Sequence, residues 1–161
     1  MRRSDRAMPE EGMRALLERS AFGFTATAID GQPFQHISLF WYDDSTRRIY
    51  FHGARQGRMH ATVLTNPRVC FSVAEIGRLL PADTAMEFSN EYASVVVFGR
   101  ARLVDREDEK RNALQALLDK HFPDHKPGRD YRPITAEEIT ATAVYAIDIE
   151  AWSGKQKKGP E

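Results

Sequence analysis

Between Arg48 and Val73 the chain reads RIYFHGARQGRMHATVLTNPRVCFSV, and no single regular element can carry this segment. Aromatic and β-branched residues dominate its two ends, which read as strands over Arg48–His52 and Arg68–Ile76. Gly53 and Gly57 break the first run. Met59–Asn66 then has the spacing of a short helix, and Pro67 stops it. The order strand, basic loop, helix, strand follows. Gly53, Arg55, Gly57 and Arg58 sit where backbone N–H groups, the positive end of a helix and a guanidinium converge, which is the donor set an anion such as phosphate requires. The other reading is a surface loop with two solvated arginines, because no strict phosphate-loop motif is present.

The rest of the chain alternates in the same way. Pro9, Glu10 and Glu11 open a helix whose apolar face is Met13, Leu16 and Leu17. Ala21–Ile29 and Pro33–Tyr42 read as two strands around an Asp30-Gly31 hairpin turn, with Phe34, His36, Ser38 and Phe40 on one face of the second. Residues 77–88 read as a loop or insertion. Tyr92–Val104 is a long strand with Gly99 marking a bend or bulge. Asp105 is expected to cap a helix over Arg106–Phe122, and Ala136–Ile139 to form a helical turn. Thr142–Trp152 is the last strand. The expectation is one mainly β domain over residues 1–161: a six-stranded antiparallel barrel, closed or nearly so, with short flanking helices and loose ends at 1–7 and 156–161.

Composition narrows the function classes. With 161 residues one core suffices. Lys+Arg and Asp+Glu are both 23, so no global field draws in nucleic acid or a membrane surface. The single cysteine, Cys70, excludes an intrachain disulfide, reads as a small core residue, and fits a cytoplasmic setting. The basic N-terminus lacks the apolar stretch of a signal peptide. His121 and His125 have a metal-like spacing, but Pro123 between them prevents a shared helix face, so no metal site is expected. His60 reads as an exposed helical residue. No Ser–His–Asp signature appears.

YFHGARQGR and TNPRVCFSV, followed by EYASVVVFGRARLV and AVYAIDIEAWSGK, resemble the pyridoxamine 5′-phosphate oxidase-like flavoproteins. Of their branches, the one with the nitroimidazole-resistance (Nim) proteins looks nearest. The resemblance spans about Asp5 to Lys155. It implies an FMN-binding split β-barrel, usually a homodimer with the flavin at the subunit interface. It also implies site residues: Phe51, His52 and Gly53 at the strand end near the ribityl and phosphate, Arg58 on the phosphate with Arg55 beside it, and His36, Ile37 and Ser38 along the isoalloxazine. Ser94 stands where the oxidase branch has a ring-contacting glutamine, and Trp152 and Lys155 match a block near the partner's cofactor. Met59 occupies the place of the family's usual phosphate-binding lysine.

Three functional readings follow. The first is an FMN-dependent oxidoreductase acting on a small organic molecule, with nitro-compound reduction as one option. In such chemistry the flavin carries the electrons and the protein positions it, so the lack of a catalytic acid–base pair is no obstacle. The second is a flavin or haem carrier or sensor without turnover, with His52 as a haem ligand; some relatives bind haem. The third is a barrel with no cofactor.

Overall fold

The computed structural model describes residues 4–159. Seven strands, one more than the sequence suggests, form a single antiparallel sheet: β1 (Phe22–Ile29), β2 (Gln32–Leu39), β3 (Trp41–Asp43), β4 (Arg48–Gly53), β5 (Arg68–Leu80), β6 (Ser89–Leu103) and β7 (Ala143–Lys157). Their order is β2-β1-β5-β6-β7-β4-β3. The extra strand arises because Pro33–Tyr42 divides at Phe40. Phe40 is fully buried and turns the chain from one edge of the sheet to the other. The two edge strands are thus neighbours in sequence without being paired, so the sheet curls like a barrel but its hydrogen-bond ladder stays open.

The inner faces share one core. Phe40, Ile49, Phe51, Phe71, Val73, Val95, Val97, Tyr145 and Ile147 pack together with Met13, Leu16 and Leu17 of α1 (Glu10–Arg19), the apolar face read from the sequence. A second cluster lies on the opposite side of β4 and β7. There Tyr50, Val144 and Ala146 meet Ala113 and Leu114 of α3 (Glu107–His121). Both faces of β4 and β7 are therefore covered, which explains their near-continuous apolar runs.

Local signals hold in several places. Asp30 and Gly31 both have positive φ, 51° and 76°, as a tight two-residue hairpin turn demands. The β6–β7 register shifts between Phe98 and Gly99, so the bulge falls where Gly99 suggests it. A Cβ on Gly99 would lie 2.2 Å from the Asp148 carbonyl oxygen, so only glycine fits this approach.

Other expectations need correction. Arg106, not Asp105, occupies the N-cap of α3, and no side chain caps that helix. Residues 77–80 continue β5, so the loop expected over 77–88 narrows to the turn at 81–88 of a β-hairpin arm, and β6 begins at Ser89, earlier than Tyr92. The ends expected to be loose lie partly outside the described residues, at 1–3 and 160–161. Inside them, Ser4–Arg6 forms a 3-10 turn, Ala7 bridges Lys155, and β7 runs on to Lys157. Cys70 is half-exposed on the outer sheet face rather than in the core. Among the described residues no helix is long and apolar enough to cross a membrane.

Candidate functional site

The basic loop leads into α2 (Arg58–Thr65), as the glycine and arginine spacing suggests. Gly57 is its N-cap at φ 107°, a conformation that favours glycine, and no side chain caps the helix. The first backbone N–H groups of α2 are therefore left to other acceptors, beside the exposed Arg58. Arg58 reaches over the Phe34 ring at 5.0 Å from its centroid. Phe34, His36, Gly53, Ala54, Gln56, Arg58, Met59 and Tyr145 line a cleft of about 200 Å³. Of the residues singled out in the sequence, it brings together His36, Gly53, Arg58 and Met59.

Tyr145 holds the cleft in shape, and nothing in the sequence marks it. Its ring stacks on Phe51 at 5.1 Å, and its hydroxyl donates to the Ala54 carbonyl at 3.1 Å. With that proton committed, the same oxygen accepts from His60 Nδ1 at 3.1 Å. His60 is thus half-buried and bonded rather than merely exposed. His36 lies 5.8 Å from the Phe51 ring, and burial pushes its pKa below the ordinary histidine value. It is a neutral imidazole at neutral pH, able to donate one hydrogen bond and accept one.

Met59 is 8% exposed and built into the main core. The missing cation is therefore replaced by a packed apolar residue, and Arg58 is the one guanidinium of this cleft. Arg55 does not serve it. Its guanidinium donates to the Thr140 carbonyl and lines a separate cavity with His60, Asp105 and Lys110, strapping the loop to α4 (Ala136–Ala141). The hydroxyls of Thr25, Thr27 and Ser38 are buried without a hydrogen-bond partner, on the same inner face of the β1–β2 ribbon as Phe34 and His36. Free helix N–H groups, a guanidinium and a neutral imidazole together suit a phosphorylated polar ligand with a planar part.

The remaining predicted residues lie elsewhere. Ile37 is exposed on the outer face of β2, and Ser94 stands opposite Lys155 in the β6–β7 ladder. Trp152 packs near Tyr42, with the Arg47 guanidinium 4.5 Å from its ring centre, and does not line the cleft. His52 points to the α3 side of the sheet. There it joins Leu39, Leu114, Leu117, Leu118, His121 and Phe122 around a mostly apolar cavity of about 410 Å³. Its roof, the segment 131–142, is pinned to α3 by bonds from Gln115 to the Tyr131 hydroxyl and from Arg111 to the Ile134 carbonyl. His121 Nε2 donates to the Phe40 carbonyl at 3.1 Å, which leaves Nδ1 as an acceptor, and burial lowers its pKa. Among the described residues no group of three or more His, Cys, Asp or Glu side chains is placed to hold a metal ion.

Comparison with solved structures returns the same fold. The flavocytochrome Anf3 from Azotobacter vinelandii superposes with a TM-score of 0.86 at 29% identity, covering 99% of this chain and 73% of that one. The FAD and haem binding protein from Mycobacterium smegmatis gives 0.82 at 26% identity, with coverage of 95% and 74%. A candidate 5-nitroimidazole antibiotic resistance protein from Bacteroides thetaiotaomicron shares the fold, with a TM-score of 0.77 at 16% identity and coverage of 93% and 86%. No curated protein sequence matches significantly. The sequence profile described as pyridoxamine 5′-phosphate oxidase matches residues 9–156, so the chain belongs to the pyridoxamine 5′-phosphate oxidase family.

Proposed function

We propose that this chain is a flavin-dependent oxidoreductase acting on a small organic molecule, with the phosphate of the flavin nucleotide held at the N-terminus of α2. The observation that carries this reading is the cleft in which Arg58 and the uncapped start of α2 meet His36, Phe34 and Tyr145. When bound, the flavin supplies hydride and electron transfer at its ring system. The chain's own residues bind and orient. Arg58 and the α2 N–H groups hold the phosphate, Tyr145 fixes the loop beneath it, and neutral His36 offers a hydrogen bond. Nitro compounds are the first substrate class to assay, a choice supported by the sequence resemblance.

The charge count bears on which flavin. A phosphate monoester such as that of FMN carries close to two negative charges at neutral pH. Each phosphorus of the FAD diphosphate carries one. With Met59 in place of a lysine, one guanidinium faces the phosphate, which matches FAD better than the FMN implied by the sequence resemblance. One structural relative named above is an FAD and haem binding protein, which supports the same choice. At about 200 Å³ the cleft is also small for a whole flavin nucleotide. This supports a homodimer, with a second copy supplying the other wall. The exposed Phe22, Ile37, Leu39 and Phe98 on the outer sheet face are the apolar surface such a dimer would cover.

Fluorescence titration of the purified protein with FAD and with FMN tests this reading. FAD should bind more tightly, and Arg58→Ala should weaken binding about tenfold to a hundredfold, the worth of one charge-assisted contact. Unchanged affinity in that variant would remove the phosphate role of Arg58.

A second reading, haem binding by a carrier or sensor, draws on the apolar cavity with His52 at one wall and His121 at another. Haem titration read by the Soret band, in wild type and in His52→Ala, separates it from the first: the band should form and then shift or vanish in the variant.

A further inference from the structure

α1, β3 and α3 meet around a cavity of about 370 Å³, lined by Glu18, Trp41, Tyr42, Ala116, Asp119 and Lys120. Lys120 stands in the last turn of α3. Its Nζ atom lies 3.9 Å from the centre of the buried Phe40 ring and donates to the Leu17 carbonyl at 3.3 Å. Among the described residues no ion pair joins it to a carboxylate. Glu107, Asp108 and Glu109 of the same helix serve arginines near its start, and Asp119 accepts from Gln115. One aromatic face and one carbonyl thus stand in for the water shell and the counter-ion that an ammonium usually keeps.

Such surroundings favour the neutral amine. Burial holds the Lys120 pKa at about 8, against 10.5 for an ordinary lysine. At pH 7.5 about a quarter of such amines are neutral, compared with about one in a thousand for ordinary lysines. The neutral amine keeps an N–H for the Leu17 carbonyl and has a lone pair besides.

The cavity walls define what that lone pair would meet. The half-buried Trp41 ring is held by stacking on Tyr50 at 5.3 Å and, with Tyr42, makes the walls aromatic. Glu18 and Asp119 disfavour an anion there.

We propose that this cavity binds neutral aromatic aldehydes covalently, as imines on Lys120. The Nζ lone pair bonds to the carbonyl carbon while the C=O π pair moves to oxygen. That oxygen takes both amine protons and leaves as water, and the electron pair freed on nitrogen completes the C=N bond, so no electron donor or acceptor is consumed. Glu18 and Asp119 are the carboxylates in the cavity that can pass these protons. The site shares no lining residue with the flavin cleft and does not depend on flavin binding.

The test treats the purified protein at pH 7.5 with less than one equivalent of benzaldehyde and with cyanoborohydride, which reduces the imine to a stable secondary amine. Peptide mapping by mass spectrometry then locates the label and separates Lys120 from the α-amino group, which titrates in the same range. Lys120 should be labelled at least about tenfold faster than the exposed Lys126, Lys155 and Lys158, because its larger neutral fraction outweighs the weaker nucleophilicity of a less basic amine. Lys120→Arg should lose the label while remaining folded by circular dichroism. Scaled to their rates with a free amine, benzaldehyde should outpace anionic formylbenzoate at Lys120, and Glu18→Gln/Asp119→Asn should close that gap. A label spread over the exposed lysines would overturn the site. Propanal reacting at Lys120 as fast as benzaldehyde on the same scale would overturn the aromatic class.

Discussion

Lys120 on α3 sits in surroundings unlike those of a surface lysine. Its ammonium lies 3.9 Å from the centre of the Phe40 ring and donates to the Leu17 carbonyl at 3.3 Å. Burial outweighs the attraction of Glu18 and pulls its pKa from 10.5 down to about 8. The folded state therefore holds fewer protons than the unfolded chain between pH 8 and 10.5, and stability rises with pH across that window. Below pH 8 both states are charged and the contribution is flat. Tyrosines held above their ordinary pKa, such as Tyr42 and Tyr50, act in the opposite sense above pH 10. Urea unfolding at pH 7.5, 8.5 and 9.5 should show the rise in wild type and lose it in Lys120→Met. An identical slope in the two proteins would sink the assignment. At this scale the sequence is uneven. Gly57, Arg58 and Gly99 are legible because glycine and arginine announce special backbone and charge requirements. Tyr145 is not, because the loop it holds is 91 residues away along the chain. The burial of Met59 and the diversion of Arg55 to the Thr140 carbonyl are tertiary facts of the same kind.

Elements were legible where one face meets water and the other the core. β1 and β2 alternate cleanly, and the helical spacing in α1 matches its buried face. The break at Phe40 leaves no mark in the sequence because a one-residue corner keeps the alternation unbroken. The β5–β6 arm leaves no mark either, because both its faces meet water and its sequence carries no period. α4 is a small case with a clear test. It has only six residues, too few to persist on propensity. A capping box fastens its start, with the Thr135 hydroxyl accepting from the Glu138 N–H and the Glu138 carboxylate accepting from the Thr135 N–H. Lys110 and Arg55 donate to the Ile139 and Thr140 carbonyls near its end. Thr135→Ala should cost about 1 kcal/mol, concentrated in this helix. Hydrogen exchange would register faster exchange at the α4 amides and little change in α1. Unaltered α4 protection would mean that the two cations, not the cap, hold the helix.

For the whole molecule, mainly antiparallel β structure and the curl of the sheet follow from the order of hairpins and the glycine bulge, but the open ladder does not. Closure depends on whether β2 and β3 meet, and no local pattern records that. The site inherits this geometry, since the cleft draws on β2, β4, α2 and β7 together. A ligand bound there ties four elements to one another and should stabilise the fold as a unit. At a free concentration one hundred times its dissociation constant, a ligand that binds only the native state adds about 2.7 kcal/mol. In a chain of this size that corresponds to a melting shift of about 5–10 °C. FAD should produce that shift in wild type. Arg58→Ala should leave the melting point without ligand within about a degree, because Arg58 is exposed and outside the core, while losing at least about half of the shift at the same FAD concentration. An equal shift in both proteins would move the phosphate away from α2. No shift in either would reject flavin binding at the cleft, whatever the family does elsewhere.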